Sequence, residues 1–86
     1  MKFSIVTTTY NSVATVRNTV ESVAAQVFDG DIEYIVVDGG STDGTLELLA
    51  HYTDVVDILV SEPDNGLYDA MNKGIQLATG DVVGIL

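Results

Sequence analysis

The chain has 86 residues, 47% of them hydrophobic, and no cysteine. This length allows one small domain at most, and this apolar content predicts a packed core rather than disorder. Thirteen acidic residues against three basic ones give a formal net charge of −10 at pH 7, which argues against direct binding of nucleic acid.

The first half of the chain alternates strand, helix and strand. Residues 3–9 (FSIVTTT) are rich in β-branched side chains and predict a strand. From Val13 to Val27, apolar residues recur at helical spacing, and Asn11 or Ser12 is the expected N-cap. Residues 32–37 (IEYIVV) are nearly all apolar, as expected of a strand buried on both faces.

The second half continues the same alternation. We predict a short helix over residues 45–52, a strand over 57–61, a helix over 67–78 and a strand over 81–86. Consecutive β-α-β units imply right-handed crossovers, and therefore a Rossmann-like open α/β sheet that is mainly parallel. Because the last predicted strand is not followed by a polar loop, we expect the domain to be truncated after its fourth strand.

Three polar segments follow the first three predicted strands, at residues 7–11, 38–43 and 62–66. Ligands of open α/β sheets bind beyond the carboxyl ends of the strands, so these segments are the candidate site. Ordinary loop chemistry would explain each segment equally well.

Several familiar loops are excluded. The first strand is followed by no glycine-rich dinucleotide motif, and the P-loop pattern is missing. Counted as a calcium loop from Asp38, the sequence has Asp43 and Leu49 where Gly and Glu are required. What remains is a turn in which Gly39 and Gly40 allow positive φ and Thr42 or Asp43 caps the next helix. Asp38 would point into the crevice toward a base or ribose, or would merely cap the turn.

Three linked motifs, TTTYNS, VVDGGSTDGT and EPDNGLYDAMNKGIQLATGD, resemble those of the family 2 glycosyltransferases with the GT-A fold. The resemblance covers residues 1–86. In the segment DNGLYDAMNKG, the sequence is most similar to bacterial members of the family that build cell-surface polysaccharides. It implies that the chain is the nucleotide-sugar-binding part of a GT-A domain.

The resemblance also implies roles for individual residues. Thr8 and Tyr10 match positions at the base and ribose, and Tyr10 could stack on the base. Asp38 matches the first of two adjacent acids, whereas the second is replaced by Gly39, which leaves the nucleotide unidentified. A further motif at the third loop and the following helix places Asn65, Gly66, Ala70, Asn72 and Gly74, with Met71 where the family often has Arg. Lys73 is then the nearby cation for a diphosphate, or a surface lysine paired with Asp69.

For the parent enzyme, the resemblance implies transfer of a sugar from a nucleotide-diphospho-sugar to a saccharide or lipid-linked acceptor, with inversion. Mg²⁺ or Mn²⁺ would be bound by an acidic motif beyond Leu86, so residues 1–86 alone would be inactive. We expect a cytoplasmic protein, at the inner face of the membrane in the parent enzyme, without a transmembrane segment of its own. The alternative is a non-catalytic nucleotide-binding module that is complete at Leu86.

Overall fold

The computed structural model describes residues 2–25, 31–63 and 65–85. These residues form alternating strands and helices, as predicted. In chain order they are β1 Lys2–Thr9, α1 Val16–Ala25, β2 Asp31–Asp38, α2 Thr45–Leu49, β3 Ile58–Ser61, α3 Leu67–Leu77 and β4 Val82–Ile85, and α2 continues as a 3-10 turn over Ala50–Tyr52.

The strands described form one sheet in the order β3-β2-β1-β4, and every pair of neighbours is parallel. The predicted open, parallel α/β architecture is confirmed. The register sets Asp38 opposite both Thr9 and Ser61, so β1, β2 and β3 end at the same level. The segments that leave these three strands therefore start side by side.

The core lies on both faces of β2, because successive side chains of a strand point to opposite sides. Tyr34 and Val36 pack among apolar residues of α1 and α2 on one face. Ile35 and Val37 pack with Val6 of β1 and Ala70 of α3 on the other. The nearly continuous apolar run in β2 is explained by this burial on two sides.

Three local predictions need correction. Helix α1 begins at Val16, later than predicted, and residues 13–15 form a preceding turn in which the Ser12 carbonyl accepts the N–H groups of Thr15 and Val16; the predicted end at Val27 lies outside the described residues. Gly44, with φ 102°, occupies the N-cap of α2. Gly40 has positive φ and Gly39 does not.

Within the described ranges, none of the helices is long and apolar enough to cross a membrane.

Candidate functional site

A cleft of about 560 Å³ opens at the carboxyl ends of β1, β2 and β3. Its position follows from the parallel register, which brings the three strand ends and the start of α3 together. None of the lining residues described carries a charge, although the whole chain is strongly acidic. The lining residues are Thr8, Thr9, Tyr10, Gly39, Pro63, Gly66, Leu67 and Ala70.

The cleft contains part of the predicted site. Thr8, Tyr10, Gly39 and Gly66 line it, and each of the three predicted loops contributes at least one residue. The Tyr10 side chain is 65% exposed, which leaves its ring accessible to a flat ligand. A second group of predicted residues lies outside the lining, and its members are Asp38, Asn65, Asn72 and Lys73.

Asp38 does not line the cleft; of the two roles predicted for its side chain, the structure shows the one within the turn after β2. The residue is 0% exposed. One carboxylate oxygen accepts the hydroxyl protons of Thr9 (2.7 Å) and Ser41 (2.6 Å). The other accepts the N–H groups of Gly40 (3.0 Å) and Ser41 (2.8 Å) and the hydroxyl of Ser61 (3.0 Å). Burial alone would raise the pKa of Asp38, but these hydrogen bonds, led by those from Ser41, lower it overall.

A set of side-chain bonds joins the loop after β1 to the loop after β2. The backbone N–H of Asn11 donates to the Ser41 hydroxyl (2.8 Å), and the Asn11 amide oxygen accepts the Thr42 N–H (2.9 Å). Asn11 has φ 47°, a left-handed conformation that asparagine tolerates better than most residues. Asn11 therefore bridges two loops. Of the two N-caps predicted for α1, Asn11 or Ser12, it is Ser12 whose carbonyl accepts the N–H groups of Thr15 and Val16 before the helix.

Asp43 completes this connection. Its carboxylate accepts the N–H of Val13 (3.1 Å) from the first loop and the N–H of Thr45 (3.0 Å) at the start of α2. The hydrogen bond from the Thr45 hydroxyl is the main reason that the pKa of Asp43 is lowered. Asp43 thus supports the start of α2 from outside the helix, close to the capping role predicted for it.

Lys73 is held by two carboxylates. Its Nζ lies 3.0 Å from Glu62 Oε1 and 3.6 Å from Asp69 Oδ2. The hydrogen bond with Glu62 is the main reason that the pKa of Lys73 is raised. The predicted pairing with Asp69 is confirmed, whereas contact with a diphosphate remains a prediction.

Sequence reasoning missed part of the lining. Thr9, Pro63, Leu67 and Ala70 line the cleft, but none of them was predicted as a site residue. Thr9 and Pro63 lie within the predicted loop segments and Ala70 within the family motif, whereas Leu67 was interpreted only as a helix position. The available signal was their place in the chain, directly at a strand end or in the first turn of a helix after a strand.

The metal ion expected for the parent enzyme has no ligand set in the part of the chain that the structure describes. No three side chains of His, Cys, Asp or Glu come together there. We therefore assign no chemical step to a metal held by these residues.

The sequence model of glycosyl transferase family 2 matches residues 4–86. An uncharacterised glycosyltransferase of Mycobacterium tuberculosis is 43% identical over 83 residues, covering 96% of this chain and 32% of that protein. A PGL/p-HBAD biosynthesis glycosyltransferase of Mycobacterium bovis is 42% identical over 81 residues, covering 91% of this chain and 31% of that protein. The chain thus spans about a third of the length of these curated relatives.

Solved structures show the same fold. Residues 1–349 of TarS from S. aureus, crystallised with UDP-GlcNAc, match with a TM-score of 0.90 and 30% identity over 100% of this chain and 26% of that one. The mannosyltransferase PcManGT from Pyrobaculum calidifontis, in complex with GDP-Man and Mn²⁺, matches with a TM-score of 0.84 and 28% identity over 94% of this chain and 25% of that one. With its parallel sheet, its cleft at the strand ends and this match over nearly its whole length, the chain belongs to glycosyl transferase family 2 and has the GT-A fold.

Proposed function

We propose that the cleft binds the nucleotide part of a nucleotide-diphospho-sugar donor. The observation that carries this proposal is the position of the cleft, at the carboxyl ends of three parallel strands in a chain of this family. The similar proteins TarS and PcManGT were crystallised with UDP-GlcNAc and with GDP-Man, which supports a donor of this class.

The lining suggests how the nucleotide would be held. Tyr10 offers an exposed ring on which a base can stack, and Thr8 offers a hydroxyl beside it. Gly39 has no side chain, so the choice between nucleotide bases at this position would depend on backbone hydrogen bonds and on the shape of the cleft. Gly66 and Leu67 bring the N-terminus of α3 to the cleft, and the positive end of a helix dipole favours a diphosphate. Asn65, Asn72 and Lys73 would act from outside the lining of the cleft.

For the whole protein, we propose transfer of the sugar to an acceptor hydroxyl with inversion at the anomeric carbon. The acceptor would be a saccharide or a lipid-linked molecule of the cell surface, used on the cytoplasmic side of the membrane. The relative named for PGL/p-HBAD biosynthesis supports this setting. Mg²⁺ or Mn²⁺ would assist the departure of the nucleoside diphosphate, as the Mn²⁺ in the PcManGT complex suggests.

We further propose that the 86 residues alone do not catalyse transfer. The chain corresponds to about a third of its curated relatives, and its described residues hold no metal-ligand cluster. Donor binding is therefore the property to measure on this chain, and transfer is the property to measure on the longer protein.

Isothermal calorimetry with UDP-GlcNAc and GDP-Man tests donor binding. If Tyr10 stacks on the base, Tyr10→Ala should weaken binding by about fivefold to a hundredfold, since base stacking on an aromatic ring is worth about 1–3 kcal/mol. Tyr68→Ala is the matched control, because Tyr68 is 81% exposed and does not line the cleft. The proposal is wrong if the wild-type chain binds neither donor, and the stacking role is wrong if both variants bind like wild type.

A further inference from the structure

We infer that Asp38 is a positioning residue, whose buried carboxylate holds the walls of the cleft together without touching the nucleotide. Its expected effect on affinity rests on the proposed function, whereas its effect on the loops does not. The residue lies at the end of the central strand β2, between the ends of β1 and β3.

The hydrogen-bond partners of Asp38 lie in three different walls of the cleft. Thr9 lines the cleft itself and precedes Tyr10. Gly40 and Ser41 follow Gly39, the lining residue contributed by the loop after β2. Ser61 ends β3, two residues before Pro63. One side chain therefore connects the three segments that shape the cleft.

The carboxylate has no capacity left for a ligand. An ionised carboxylate offers about four lone-pair positions, and five donors among the described residues already occupy them. A nucleotide N–H or hydroxyl could bind Asp38 only by displacing one of these donors, from a residue that is 0% exposed. Losing such a bond to a buried charge is costly, so the internal partners are favoured.

The backbone alone does not hold the loop after β2 in this way. The sheet ladder extends just past the strand ends, where Gly39 N–H donates to the Thr9 carbonyl (2.9 Å) and Glu62 N–H donates to the Asp38 carbonyl (3.0 Å). The N–H groups of Gly40 and Ser41 lie beyond that ladder and are bound by the Asp38 side chain. Without the carboxylate, these two N–H groups lose their partner.

Two substitutions separate geometry from direct binding. Asp38→Ala removes all the acceptors. Asp38→Asn keeps the shape, since its amide oxygen can accept the two backbone N–H groups while its amide N–H groups donate to the hydroxyls of Thr9 and Ser41. The matched control is Asp57→Ala. Asp57 also accepts a backbone N–H, that of Tyr34 (2.7 Å), but it lies just before the start of β3, away from the strand ends that form the cleft.

Hydrogen exchange of the 86-residue chain without nucleotide tests the loop directly. Exchange at Gly40 and Ser41 should rise about tenfold or more in Asp38→Ala, since a hydrogen bond to a charged group is worth at least that factor. Exchange there should stay near wild type in Asp38→Asn and in Asp57→Ala. Wild-type exchange in Asp38→Ala would overturn the inference.

Calorimetry with UDP-GlcNAc and GDP-Man then tests the consequence on variants shown to be folded by circular dichroism. Affinity should fall about tenfold in Asp38→Ala and change less than about threefold in Asp38→Asn and Asp57→Ala. The inference is overturned if Asp38→Ala binds like wild type, or if Asp38→Asn loses binding while exchange at Gly40 and Ser41 stays low. The second result would mean that the carboxylate contacts the nucleotide.

The role of Asp38 can still be tested if the wild-type chain binds no nucleotide-sugar or if Asp38→Ala does not fold. If the wild-type chain binds neither donor, the proposed function fails, and the exchange measurement still decides whether Asp38 holds the loop. If Asp38→Ala does not fold, Ser61→Ala replaces it, because this variant removes only one hydrogen bond to Asp38. Its affinity for the nucleotide-sugar should fall about threefold, a fraction of the full effect. Wild-type affinity in a folded Ser61→Ala variant would then overturn the inference.

Discussion

Gly74 of α3 faces Val6 of β1 with no room for a side chain, and Gly74→Ala tests that packing. A Cβ atom added at Gly74 would overlap Cγ1 of Val6 and lie 3.2 Å from its Cγ2 and 3.3 Å from its Cβ. Val6 is 0% exposed and packs with Ala70 of the same helix. Neither the helix nor the valine can move without disturbing this side of the core.

The expected magnitude is the balance of two effects. Alanine in a helix interior is favoured over glycine by about 1 kcal/mol. Overpacking a well-filled core costs about 1–3 kcal/mol. We expect the upper end here, because the overlapped atom belongs to a buried β-branched side chain with a stiff χ1. Gly74→Ala should therefore lower the free energy of unfolding by about 2 kcal/mol, the overpacking cost less the propensity gain.

Urea denaturation followed by circular dichroism measures this change, and Tm should fall by about 8–16 °C for a domain of this size. Gly84→Ala is the control, since a Cβ there meets no described atom within 4 Å. Val6→Ala is the rescue background, because it removes the atoms that Cβ would overlap. In that background Gly74→Ala should be neutral or stabilising, which gives a coupling of about 2 kcal/mol between the two sites.

Two results would refute this reasoning about α3. One is a Gly74→Ala chain at least as stable as wild type. The other is the same loss of stability in the presence and absence of Val6→Ala, which would show that the cost does not arise from this contact.

Three further predictions concern buried and charged groups. Tyr34→Phe should lower the free energy of unfolding by about 1–2 kcal/mol, because the buried Thr7 hydroxyl loses its partner at 2.8 Å. Adding Thr7→Val should restore much of this stability, as measured by urea denaturation. Folding lowers the pKa of Asp38, so the ionised carboxylate stabilises the fold above the ordinary aspartate pKa, and this stabilisation is lost as the pH falls through the lowered pKa. In acid titration, the free energy of unfolding should therefore fall less in Asp38→Asn than in wild type. Lys73→Ala should change the free energy of unfolding little, because its partner Glu62 is exposed, yet it should weaken donor binding in calorimetry; unchanged affinity would contradict the diphosphate role.

The fold could be predicted from the sequence because its elements are strongly patterned. The apolar stripe of α3 matches the helical period. The apolar run of β2 is short, continuous and rich in β-branched residues, which is typical of a strand buried on both faces. The start of α1 was harder. The chain turns through residues 13–15 before α1 begins at Val16, and the loop before this turn is bound to Ser41 and Thr42, about thirty positions away. Local capping preferences do not contain that information.

The sequence predicted where the cleft lies and only part of its lining. The rule that ligands bind at the carboxyl ends of parallel strands places Tyr10 and Gly39 correctly at the cleft. It cannot tell which side chain of a loop faces the ligand and which turns inward. Asp38 turns inward because the parallel register sets it between Thr9 and Ser61, whose hydroxyls satisfy its charge.

The sequence by itself determined the α/β architecture, the family and the end of the sheet at which the cleft opens, because hydrophobic periodicity and motif order are properties of the chain. Only the tertiary structure decided the role of Asp38, the pairing of Lys73 with Glu62 and the contact of Gly74 with Val6. Each of these depends on the side chains that register and crossover bring together from distant positions. Burial and hydrogen bonding then decide which polar groups are left for a ligand.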